Sequence, residues 1–150
     1  MLDRIDHIGI AVADLEEALA LWGGAFQMEV SHREVVEEQG VEAVLLDVGE
    51  NHIELLAPLG PDTPVGKFIA KRGPGLHHFA YQVSDIEVAL AELAGAGVEL
   101  IDKRPRVGIG GARVAFVEPK STGRALVELV EPVGHGAHAA IDSTAEEVVR

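Results

Sequence analysis

Cysteine is absent from the 150 residues, which excludes disulfides and thiolate metal sites. That absence fits a protein of the reducing cytoplasm, the expected location. No apolar run approaches the ~20 residues that a membrane span needs, and the acidic start Met1-Leu2-Asp3 is no signal peptide. Positive charge is scarce: 12 Lys and Arg face 25 Asp and Glu, a formal net charge of −13. Nucleic acid and anionic membranes are therefore not expected as partners. What is present is a chain 47% hydrophobic and 25% charged with strong periodicity, as in a folded globular protein of one domain's length. Six of the 12 basic residues crowd into one stretch: Lys103, Arg104, Arg106, Arg113, Lys120 and Arg124. Such a cluster is either a solvated surface or a landing strip for an anionic small molecule.

The chain repeats itself. Ile5-Asp6-His7-Ile8-Gly9-Ile10-Ala11-Val12-Ala13-Asp14 returns as Leu76-His77-His78-Phe79-Ala80-Tyr81-Gln82-Val83-Ser84-Asp85. At one offset His7 falls on His78, Val12 on Val83, Asp14 on Asp85 and Glu16 on Glu87. A repeat of this size means one supersecondary unit used twice. In each copy an alternating strand leads through an Asp cap into a helix ended by glycines, Gly23-Gly24 or Gly95 and Gly97. The first helix presents Leu15, Leu19 and Trp22 on one face. Strands then follow at Met28–Val36, Val41–Val48 and His52–Ala57, with Gly49-Glu50-Asn51 as a hairpin loop. In the second copy they follow at 98–102, 112–117 and 124–131.

The expected fold is α+β: two tandem βαβββ modules forming a curved eight-stranded open barrel. Module one covers residues 3–58, a linker with a short helix near Val65–Lys71 covers 59–75, and module two covers 76–132. The tail, 133–150, carries His135, His138 and a Ser143-Thr144-Ala145-Glu146 capping pattern. Each helix covers one face of its sheet, and the uncovered faces surround a cavity where a site is expected.

The repeat also points to ligands. The last strand of each module carries a carboxylate in an apolar run, Glu54 in one and Glu128 in the other. If first and last strands are neighbours, His7, Glu54, His78 and Glu128 converge. Two imidazoles and two carboxylates suit a divalent ion such as Co²⁺, Mn²⁺, Ni²⁺, Fe²⁺ or Zn²⁺. Singly, a strand His is usually structural and a strand Glu usually faces solvent; the duplicated pair is what chance does not supply. His77 alternates to the opposite face as a packing residue. His52 shares a face with Glu54 and supports the ligands from behind. His32 has no supporting pattern.

Paired His and Glu on two βαβββ modules resemble the vicinal-oxygen-chelate superfamily. Within it the chain is similar to the methylmalonyl-CoA epimerase family over roughly residues 3–132. The segments that carry this are Asp6-His7, Glu54-Leu55-Leu56-Ala57-Pro58-Leu59, Gly75-Leu76-His77-His78, Gly108-Ile109-Gly110-Gly111 with Arg113, Pro119-Lys120-Ser121 and Glu128-Leu129. The resemblance implies an isomerase that moves a proton on and off C2 of methylmalonyl-CoA through a thioester enolate, with a divalent ion, cobalt first, on His7, Glu54, His78 and Glu128. It implies Glu128 as one base, and a second on the strand after Glu-Gln-Gly. There the ungapped position is Ala43 and its neighbour is Glu42. A three-residue hairpin loop turns Glu42 inward; a two-residue loop turns Ala43 and Asp47 inward instead. Glu42 is the expected base, with water or His52 as substitutes. Gly110, Gly111, Arg113, Lys120 and Ser121 are expected at the substrate, Arg104 and Arg106 at its CoA end, and a homodimer as the assembly. The rival readings are a glyoxalase I-type lyase, an extradiol dioxygenase and a metal-free drug-sequestering module.

Overall fold

Alternating Ile and Val make Leu2–Ala11 the first strand, β1. In the computed structural model, which describes residues 1–134, Asp14 then caps α1 (Leu15–Leu19) by accepting a hydrogen bond from the Glu17 amide at 3.0 Å. A wider π-type turn, Ala20–Ala25, prolongs this helix. The strands β2 (Val30–Val36), β3 (Val41–Val48) and β4 (Asn51–Pro58) complete the first copy. The linker holds α2 (Pro64–Arg72). The second copy runs β5 (Gly75–Val83), α3 (Ile86–Gly95), β6 (Arg106–Val107), β7 (Arg113–Val117) and β8 (Val127–Glu131). Its helix carries the same cap, Asp85 accepting from the Val88 amide at 3.0 Å. Caps of this kind contribute about 1 kcal/mol each. The expectations for His135, His138 and Ser143–Glu146 lie outside the described residues.

All eight strands join one sheet in the order β2-β3-β4-β1-β5-β8-β7-β6. The first strand of each copy pairs parallel with the last, β1 with β4 and β5 with β8. The copies meet where β1 and β5 pair antiparallel. That seam relates the two copies by a near two-fold, which brings corresponding residues together. Val12, Leu15, Val44, Leu46 and Leu55 bury one sheet face against α1. Val83, Ile86, Ala89, Leu90, Ala115 and Leu129 do the same under α3. Each such side chain stabilises by roughly 1.5–3 kcal/mol when fully buried. On the uncovered face Val65 of α2 packs with Val36, Val41, Ala43 and Leu56, closing one end of the cavity.

Two details depart from expectation. Residues 98–102 do not form a strand; Leu100 makes a single bridge to Val117, and β6 pairs with β7 further on. The Asp102 carboxylate accepts the Phe116 amide at 2.9 Å, taking the place of a ladder bond, and Pro105 has no N–H to donate. The β3–β4 loop has two residues, Gly49-Glu50, because Val48 pairs with Asn51. Gly49 takes a φ of 61° at the first central position, the place a type II′ hairpin reserves for glycine.

Candidate metal centre and cavity

The seam strands place His7 and His78 face to face, with their Nε2 atoms 2.9 Å apart. Close approach is possible because Gly9 lies opposite His78: a Cβ at Gly9 would stand 2.2 Å from the His78 ring. The corresponding small residue of the second copy, Ala80, lies opposite His7. Glu54 reaches to 3.5 Å of the His7 Nε2 and 3.7 Å of the His78 Nε2. Glu128 reaches to 3.3 and 2.8 Å of the same two atoms. All four residues are buried.

Donors 2.0–2.2 Å from a common ion stand about 3.0–3.5 Å apart along the edges of an octahedron or tetrahedron. The separations here, 2.8 to 3.7 Å, fit such a cage. The ligand atoms of His7, Glu54 and His78 all lie within 4.8 Å of one another, and Glu128 stands beside both imidazoles, nearest to His78. The residues present therefore suit a divalent ion of the borderline class.

Both imidazoles are aimed by the residue just before them. Asp6 holds the His7 Nδ1 at 2.8 Å, and His77 holds the His78 Nδ1 at 2.8 Å. Each Nε2 is thereby free to point inward. His77 also stacks edge-on against Phe68 of α2, so it packs and positions at once. Strand alternation alone gave it only the packing role and gave Asp6 none; the signal was the matching place of Asp6 and His77 in the repeat.

The charges are strongly coupled. Burial by itself disfavours a protonated His7, but Glu54, Asp6 and Glu128 outweigh it and hold its pKa well above the ordinary value. Burial pushes the Glu54 carboxyl up, partly offset by His7 and His78. Burial opposes ionisation of Glu128 too, yet His78 and hydrogen bonds from both imidazoles hold it well below the usual carboxylate range. Burial and the nearby His78 pull His77 down to about 4.

A cavity of about 110 Å³ adjoins the cluster, lined by Glu54, His78, Phe116 and Glu128 and also by Glu38 and Arg106. Glu38 sits in the turn Glu37–Gln39, which the sequence marks only as an acidic turn. Gly40, at φ 66°, ends that turn close against Thr63 at the start of α2, where a Cβ would clash.

Several expected site residues lie elsewhere. The two-residue hairpin puts Glu42 opposite Ala57 on the helix-covered face, where it binds Arg33 at 3.1 Å instead of facing the cavity. Asp47 faces inward but is not a buried mid-strand charge: it is partly exposed and bonds the His52 Nδ1 at 2.9 Å. His52 therefore has Asp47 as its partner and borders a neighbouring pocket with His7 and Glu128. Arg113 pairs with Glu131 across β7–β8 and with Glu87 of α3, which holds it on the helix side. Lys120 pairs with Glu99, and the Ser121 hydroxyl accepts the Glu99 amide, tying both to the 98–102 segment away from the cavity. Arg104 lines a groove behind α3 together with Glu87 and Glu99. Only Arg106 of the basic cluster borders the cavity, its guanidinium 5.8 Å over the Phe116 ring. Gly110 borders the His7–His52 pocket, its amide donating to Glu34 at 3.0 Å, and Gly111 packs near Val133.

Residues 6–116 match the model of the glyoxalase/bleomycin resistance protein/dioxygenase superfamily. The Bacillus subtilis protein YqjC is 40% identical, covering 91% of this chain and 99% of its own. The ethylmalonyl-CoA/methylmalonyl-CoA epimerase of Cereibacter sphaeroides is 36% identical, over 86% of this chain and 98% of its own. A solved methylmalonyl-CoA epimerase in complex with methylmalonyl-CoA and NH4+ superposes with a TM-score of 0.85 at 38% identity, covering 89% of this chain and 96% of that one.

Proposed function

The chain belongs to the glyoxalase/bleomycin resistance protein/dioxygenase superfamily and, within it, to the methylmalonyl-CoA epimerases, and from that premise we propose that it interconverts the 2R and 2S forms of methylmalonyl-CoA by proton transfer at C2. It is an enzyme of the epimerase class. His7, Glu54, His78 and Glu128 would hold a divalent ion, Co²⁺ foremost with Mn²⁺, Ni²⁺ or Zn²⁺ as substitutes. When bound, such an ion supplies positive charge beside the thioester oxygen as that oxygen becomes an enolate.

The chain's own residues move the proton. Glu128, held ionised by both imidazoles, takes the C2 proton from one face of the substrate. Glu38, in place of the expected Glu42, returns a proton to the other face from its carboxylic acid form. Each carboxyl then resets by exchange with solvent. The observation that carries this reading is that Glu38, in the turn between β2 and β3, and Glu128, on β8, line one cavity together with Glu54 and His78.

Incubation of one stereoisomer in D₂O tests it. Wild type should place deuterium at C2 and invert the centre. Glu38→Gln should keep exchange from the Glu128 side and lose inversion, while Glu128→Gln should lose both. Unaltered turnover in Glu128→Gln overturns the assignment. A cytoplasmic homodimer goes with this reading: the edge strand β2 leaves Val30 and Val35 more than half exposed, an edge that a second copy would cover.

A further inference from the structure

The strand order leaves β2 at one end of the sheet and β6 at the other. A single side chain ties the two ends together. Glu34 of β2 pairs with Ala43, a residue of the cavity wall, so it stands on the cavity side of its strand. Its Oε2 accepts the Gly110 amide at 3.0 Å, from the turn that joins β6 to β7. The same oxygen lies 2.6 Å from the His32 Nε2, which holds the carboxylate in line. His32 first, and the Gly110 amide second, keep the Glu34 carboxyl below the usual carboxylate range, so it accepts as an anion.

The turn at 108–111 has few other attachments. The amides of Gly108, Gly111 and Ala112 go to carbonyls of the turn itself, those of Ala112, Gly108 and Ile109. Gly110 and Gly111 take φ values of 67° and 78°, a left-handed pair with no side chains to anchor it. Among the described residues, the bond from Gly110 to Glu34 is the one hydrogen bond between this turn and the first copy. What the turn carries is Ile109. That side chain packs against the cluster of Val36, Ala43 and Val65. It lines both the cavity of about 110 Å³ and the pocket of about 260 Å³ that His7 and His52 border. Ligand sites commonly hold about 300–1,000 Å³, and with Ile109 in place the cavity falls short of that.

We propose that Glu34, aimed by His32, is a positioning residue that latches the 108–111 turn across the opening of the sheet, parting to admit the acyl end of the substrate and re-forming with Ile109 over it. This rests on the acyl-CoA reading of the cavity. A wall hinged on two glycines and held by one partly exposed side chain opens at far lower cost than a strand ladder. Closed, it keeps water from the enolate.

Two measurements on the full chain test the latch. Hydrogen exchange at the Gly110 amide, followed by NMR, reads it without turnover. Glu34→Ala should raise the exchange rate about tenfold or more, and so should Glu34→Asp, which keeps the charge but is one methylene too short. Glu34→Gln keeps an acceptor at the same reach and should stay within about threefold of wild type. His32→Ala should fall between. Should Glu34→Ala not fold, Glu34→Asp and Glu34→Gln make the same comparison. Kinetics on methylmalonyl-CoA should follow the same order: kcat falls about five- to tenfold in Glu34→Ala and Glu34→Asp, KM moves by about twofold at most, and Glu34→Gln restores kcat. Equal exchange at Gly110 in wild type, Glu34→Ala and Glu34→Asp overturns the latch and leaves the epimerase reading standing. So does raised exchange with kcat unchanged, which would make the contact structural only. If wild type turns over no methylmalonyl-CoA, the acyl-CoA reading fails while the exchange order still decides the latch.

Discussion

Gly9→Ala tests the geometry of the seam with a single methyl group. The new Cβ would stand 2.2 Å from the His78 Cε1 and 2.3 Å from its Nδ1. Ordinary contact begins near 3.4 Å, so the ring must retreat by about 1.2 Å, the difference between the two. A retreat of that size is large beside a cage whose edges run from 2.8 to 3.7 Å, and it would also break the 2.8 Å bond to His77. Overpacking of this kind costs about 1–3 kcal/mol in stability. Loss of ligand aim typically weakens metal binding by 10–100-fold. Gly24→Ala is the control, since nothing lies within 4 Å of a Cβ there. Competition between the protein and a chelator for cobalt reads the affinity, and thermal melting reads the stability. If Gly9→Ala binds cobalt as tightly as wild type and melts no lower than Gly24→Ala, the tight approach of the two copies is wrong.

Two further outcomes follow from the supports of the imidazoles. Asp6→Asn should weaken cobalt binding by about 10–100-fold with little loss of fold, read in the same competition assay. His77 gives the metal-free protein an acid sensitivity: its folded pKa is about 4 against an ordinary 6.5. Below 6.5 the unfolded chain takes up the proton first, so stability present above pH 6.5 is lost as pH falls towards 4. The loss amounts to about 3 kcal/mol at most, since each unit is worth 1.36 kcal/mol. Urea unfolding of wild type and His77→Gln between pH 7 and 4 checks it; parallel slopes would refute the assignment.

How much could be read beforehand depended on whether a residue's role was written in its own repeat or in a turn. His7, His78, Glu54 and Glu128 stood out because duplication at a fixed offset outweighs the ordinary odds against any single polar strand residue. The seam pairing of β1 with β5 then turned sequence symmetry into spatial proximity. Glu42 failed for a reason of parity. One residue fewer in the Gly49-Glu50 loop reverses every side chain of β3, and periodicity of two carries no information about which loop length is used. The residue proposed as the second acid–base group was hidden for the opposite reason: Glu38 lies in a turn, where no period exists to read. Arg113 looked available because its partners, Glu87 and Glu131, are distant in sequence and meet it only through the α3–β7–β8 packing. The basic stretch 103–124 was a cluster in sequence only. In space Arg104, Arg106 and Arg124 face three different concavities.

The account turns on one cation held jointly by the two copies and needed for proton exchange. Its most direct test is the rate of deuterium entry at C2 of methylmalonyl-CoA as cobalt is added back to chelator-stripped protein. The predicted curve starts at zero, rises linearly and saturates at one ion per chain. Full exchange by the stripped protein, or a rise with no saturation at that ratio, would contradict it.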